Sequence, residues 1–115
     1  MSNKHLVFSS DKIGEGDLGA KVVVGFLNSL SQVSSDLLPK QVIFLNRGVL
    51  LSTHNSHIDN TQALQALQSL ERLGVEILSC QTCVEHFKAE VAVGRLTNAP
   101  EVLQYLLGSE NTISF

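Results

Sequence analysis

Cys80 and Cys83 are the only two cysteines in the chain, and they directly follow the apolar run Val75-Glu-Ile-Leu78. Four chemistries use such a pair: metal coordination, a redox switch, carriage of sulfur, or plain packing of two small apolar side chains. A thiol is a useful nucleophile only when ionised, and the start of a helix favours that anion. Val84 and Phe87 suit a short helix beginning within the motif, so both thiols are expected to feel its field. The spacing also lets one thiol attack a disulfide or persulfide formed on the other. Polar Ser79, Gln81 and Thr82 around the pair argue against two packing residues.

A structural zinc site needs four ligands, and one C-x-x-C supplies two. His54 and His57, or His86, are the histidines that would complete it, but no zinc-finger spacing is present, and no metal is expected. Arg47 either holds an anionic sulfur species or thiolate, or is an exposed loop arginine. Asn46, Gly48 and Asn98 stand at strand ends and are read with Arg47 as lining of the same cleft; both residue types are also plain turn residues, and Asn98 suits a helix cap. The stretch Gly14-Glu-Gly-Asp-Leu-Gly19 matches the dinucleotide fingerprint. Glu15 and Asp17 oppose a pyrophosphate, however, and Asn46 ends the second strand where an acidic residue would hold a ribose. It is read as a tight turn with a charged first helical turn.

The elements that must position these residues alternate along the chain. "HLVFSS" reads as a strand. Leu18, Val22, Phe26, Leu30 and Val33 mark one face of a helix, which Pro39 cannot continue. "QVIFLN" is a strand buried on both faces, and "GVLL" a short extended piece. Leu64, Leu67, Leu70 and Leu73 mark a helix capped by Gly74. "VEIL", "VAVGRLT" and "NTISF" are further strands, and "NAPEVLQYLLG" a last helix. This order predicts one α/β domain over residues 1–115, three layers with an open, mainly parallel five-stranded sheet. Chemistry is then expected at the carboxyl ends of the strands, where the cysteine loop, Asn46-Arg-Gly48 and Thr97-Asn98 emerge.

With 115 residues the chain supports one core. A net charge of −3 and the absence of Trp leave no footprint for nucleic acid. No apolar run reaches membrane-spanning length, and the amino terminus does not read as a signal peptide. A cytoplasmic protein is expected, where close cysteines are catalytic or metal-binding more often than structural disulfides.

Together, "SSDKIGEGDLG", "PKQVIFLNRGVLL", "LERLGVEILSCQTC" and "VAVGRLTNA" resemble the DsrE/DsrF-like sulfur-relay superfamily. More closely, the chain resembles the carboxyl-terminal domain of YedF-type proteins, described as sulfurtransferase-like and associated with selenium metabolism. The resemblance implies an open five-stranded parallel sheet between helices and a homo-oligomer, often a trimer or hexamer. It implies that Cys80 carries sulfur as a persulfide and that Cys83 matches the second cysteine of C-x-x-C members. Gln81 stands where YedF-type chains usually have glycine. Those chains commonly carry an additional TusA-like domain, so the resemblance implies a separate TusA-like partner here.

Three functions follow. In the first the chain is a sulfur (or selenium) relay that needs no cofactor and works between a donor and an acceptor protein. In the second Cys80 and Cys83 form a dithiol–disulfide oxidoreductase. In the third the chain is a non-enzymatic oligomeric binding module with incidental cysteines.

Overall fold

The three central strands of the sheet form where a run of apolar residues can be covered on both sides. The computed structural model describes residues 1–108 and 111–115. In chain order the elements are β1 (His5–Phe8), α1 (Gly16–Leu30), β2 (Gln41–Phe44), β3 (Thr53–His54), α2 (Thr61–Arg72), β4 (Glu76–Cys80), α3 (Gln81–His86), β5 (Glu90–Val91), β6 (Arg95–Thr97), α4 (Ala99–Gly108) and β7 (Thr112–Ser114). Two 3-10 turns, Ser35–Leu37 and Asn46–Leu51, fill connections. Five strands make a parallel sheet in the order β6-β4-β2-β1-β7. The expected three-layer α/β architecture is thus the observed one.

Side chains on adjacent strand positions point to opposite faces. Leu6 and Phe8, Val42 and Phe44, and Ile77 enter a large core shared with Val23, Leu27, Leu67 and Leu70 of α1 and α2. Val7, Ile43 and Leu78 enter a small one shared with Val102 of α4. Both faces of β1, β2 and β4 are therefore covered, which is why their sequences run continuously apolar instead of alternating. α2 ends as expected. Gly74, at φ 95, donates to the Glu71 carbonyl and Val75 to that of Leu70, closing a Schellman motif.

Four expectations need correction. α1 buries Gly19, Val23 and Leu27, one position round from the expected stripe; Leu18 is 72% exposed, and Val33 lies beyond the helix end. Five apolar residues between Val22 and Leu27 make a wide apolar arc, and the core takes its Val23 and Leu27 side. Second, "GVLL" is not extended. It belongs to the buried turn Asn46–Leu51, and "QVIFLN" leaves the sheet at Phe44. Third, Gly48 does not line a cleft as expected but is buried: a side chain there would place its Cβ 2.1 Å from the Phe8 carbonyl oxygen, so only glycine lets this turn close over the end of β1. Fourth, "VAVGRLT" is divided: Val91 pairs antiparallel with Thr53 in a small ribbon, and only Arg95–Thr97 joins the sheet. Gly94, at φ 78, redirects the chain between them. The glycine-rich stretch before α1 is a turn, with the Ile13 amide donating to the Gly19 carbonyl and Asp17 in the first helical turn.

Candidate functional site

β4 ends on Cys80, which stands opposite Thr97 in the register with β6. The residue before it, Ser79, is fully buried, and its hydroxyl lies 2.6 Å from that of Ser52. That bond ties β4 to the turn that follows β2. Cys80 has extended backbone angles and is the cap residue of α3; Cys83 is the third residue within that helix. Both thiols are unpaired, half-buried, and packed against the rim of the large core.

The turn after β2 reaches Cys83 from the side. Asn46 adopts φ 50, and its amide donates a hydrogen bond to Cys83 Sγ at 3.1 Å. A cleft of about 270 Å³ opens here, lined by Asn46, Thr82, Cys83, His86 and Phe87. Burial first, and the adjacent Cys80 thiol second, push the Cys83 thiol above its ordinary range; the Asn46 amide pulls the other way. The helix start therefore does not depress Cys83, because lost hydration and a thiol neighbour outweigh the field.

Arg47 follows Asn46, yet its guanidinium turns away to a carboxylate. Nε and one terminal nitrogen each donate to an Asp11 oxygen at 3.2 Å, and the guanidinium carbon lies 5.9 Å from the Phe87 ring centre. Asp11 raises the guanidinium pKa further. Its charge is thus matched by a carboxylate 36 residues away, which nothing in the sequence spacing announces. Gly48 is buried beneath the turn and does not line the cleft. Asn98 caps α4, its side-chain oxygen accepting from the Glu101 amide at 2.9 Å.

His57 Nε2 lies 3.2 Å from the Phe87 carbonyl, and the His57 and His86 rings both stand edge-on to the Phe87 ring. His54 is exposed in the β3–β5 ribbon. Among the described residues no group of three or more His, Cys, Asp or Glu side chains is gathered as a metal site would gather them. A second recess, about 510 Å³, opens at the opposite, amino edge of the sheet around His5, Lys40, Gln41 and Tyr105. It is the larger of the two but contains neither thiol; both cysteines lie at the carboxyl edge.

Cys80, Cys83 and Asn46 are therefore gathered at one place, Arg47 reaches it through Phe87, and Gly48 and Asn98 serve the backbone around it. Asp11, Thr82, His86 and Phe87 were not singled out as parts of the cleft by the sequence. For His86, the three-residue step from Cys83 along a helix was the available signal.

With this geometry the protein class is one of fold: an α/β domain with an open five-stranded parallel sheet between helices. The ychN protein from E. coli superposes with a TM-score of 0.70 at 14% identity, over 98% of this chain and 99% of that one. A conserved protein of unknown function from Bacteroides thetaiotaomicron gives 0.63 at 18% identity, over 98% and 95%. No protein-family model and no curated protein sequence matches the chain. Among the described residues no helix is long and apolar enough to cross a membrane.

Proposed function

We propose that this chain is a sulfur (or selenium) relay protein of YedF-like type, with Cys80 as carrier and Cys83 as resolving thiol. The observation that carries the reading is the inequality of the two thiols. Burial and the Cys80 thiol push the Cys83 thiol above its ordinary range, while Cys80 stands at the strand end on the helix cap. In the first step the Cys80 thiolate attacks the outer sulfur of a donor persulfide. The donor's S–S bond breaks, its thiolate leaves, and Cys80 holds the sulfane sulfur. In the second, the Cys83 thiolate attacks Cys80 Sγ. The carried sulfur departs as hydrosulfide toward an acceptor, both cysteines are oxidised to a disulfide, and an external dithiol reduces it again.

The chemistry needs no metal or organic cofactor. The donor is a protein presenting a persulfide, a separate TusA-like protein among them, and the acceptor is a protein that takes up the released hydrosulfide at the sulfide level. A homo-oligomer, trimer or hexamer, accompanies the reading; apolar Leu18 and Phe26 on α1 and Leu103 and Leu107 on α4 are exposed surface for it.

The test is intact-protein mass spectrometry under non-reducing conditions, after incubation with a cysteine desulfurase and cysteine. A reducible gain of one sulfur mass, lost in Cys80→Ser and retained in Cys83→Ser, is the expected result. Loss of two hydrogens in the wild type without sulfur gain would instead favour the dithiol–disulfide oxidoreductase, for which the nearness of Cys80 to Cys83 speaks equally. If the Cys80→Ser, Cys83→Ser double variant behaves as the wild type in every assay, the non-enzymatic binding module stands.

A further inference from the structure

Asn46 and Lys88 are the two non-glycine residues at positive φ among the described residues. For an L-residue that conformation carries a cost, and asparagine is among the few types that tolerate it. At Asn46 the surroundings hold it in place from several sides. The Arg47 amide donates to Asn46 Oδ1 at 2.8 Å, and the Gly48 amide donates to the Leu45 carbonyl at 2.8 Å. The Leu45 amide in turn donates to Phe8 at the end of β1, and the Arg47 fork grips Asp11, whose side chain is only 5% exposed. The turn is thus anchored to the segment after β1, and its free product is one amide directed at Cys83 Sγ.

We propose that Asn46 is a positioning residue for the second thiol, holding its backbone amide on Cys83 Sγ so that this sulfur is ready for the resolving displacement. The inference rests on the relay reading and assigns a part to a residue that touches the thiol through its backbone alone. The amide supplies hydrogen-bonding stabilisation for negative charge on sulfur where burial and Cys80 oppose it. Delivery depends on the left-handed backbone at residue 46, and the Arg47–Asp11 pair supports that backbone without touching either thiol. A side chain that tolerates φ 50 should therefore preserve the effect, and one that resists it should lose it.

The experiment follows alkylation of Cys83 by iodoacetamide against pH, in a Cys80→Ser background that leaves a single thiol. Adding Asn46→Val, whose β-branched side chain disfavours positive φ, is expected to move the midpoint of the profile up by about one pH unit. Asn46→Gly is expected to keep the parent midpoint, and Asp11→Asn to move it upward by about half a unit. The proposal is overturned if the valine variant keeps the parent profile, or if glycine shifts it as far as valine does. Should the valine variant fail to fold by circular dichroism, an unshifted Asp11→Asn profile overturns it and an upward shift supports it. The readout involves no sulfane sulfur. A relay failure shows instead as no sulfur gain in the mass measurement, whatever the alkylation profile does.

Discussion

At the residue scale the Arg47–Asp11 pair is asymmetric: the arginine side chain is 48% exposed and the aspartate 5%. Removing the exposed partner strands a desolvated carboxylate, whereas neutralising the buried one leaves an arginine that water can solvate. Arg47→Ala is therefore expected to lower stability by about 1–2 kcal/mol in urea unfolding, and Asp11→Asn by less. Equal losses would mean that Asp11 finds another partner. Cys80 was legible as a candidate because it ends a strand and opens a polar loop. Asp11 was not, because its meaning lies in a partner brought to it by the adjacency of β1 and β2. The same limit hid the Asn46 amide, since no side-chain type reports where a backbone N–H will point.

At the scale of elements, turn and strand are hard to tell apart in short apolar runs. Val49, Leu50 and Leu51 are all buried, as strand residues would be, yet they turn. Four apolar residues fit either state, and the deciding contact, Gly48 against Phe8, is long-range. Gly48→Ala is expected to cost about 3 kcal/mol or to prevent folding, because the added methyl meets backbone that cannot swing aside. A loss below about 1 kcal/mol would mean that the turn relaxes freely. Asn98→Ala should remove the α4 cap at a cost of about 1 kcal/mol in urea unfolding, and no measurable loss would mean that another group caps the helix. The end of α2 was readable because its Gly74 cap is local, but Leu73, read as part of the stripe, stands exposed past the helix end while Ala63 and Ala66 are buried. α1 was readable as a helix but not in its facing, because an apolar arc that wide does not say which side the sheet will choose.

For the molecule as a whole, the two edges of the sheet have different character, with thiols at one and a row of polar side chains at the other. His5 and Gln41 are register partners at the start of β1 and β2, and Gln41 Nε2 donates to Glu76 at the start of β4. His5 Nδ1 and Gln41 Oε1 are buried without a hydrogen-bond partner. Burial lowers the His5 pKa below its usual value; Gln41 opposes that fall and Lys40 adds to it. A histidine lowered in the folded state takes up its proton more readily when unfolded. Its contribution is complete above the unfolded value and declines as pH falls toward the folded one. Stability should thus drop as pH falls from about 6.5. His5→Phe should flatten that part of the pH profile of the urea midpoint, and an unchanged slope would locate the proton uptake elsewhere.

The two cores are also unequal. α4 rests on Val7, Ile43, Leu78 and its own Val102, while α1 and α2 share the large cluster with Phe8, Phe44 and Ile77. A layer with so little buried beneath it opens by itself, without waiting for global unfolding. In deuterated water the amides of α4 should therefore exchange long before those of β2 and α2. The thiols pack against the slower half, so excursions of α4 can come and go while the two sulfurs keep their places.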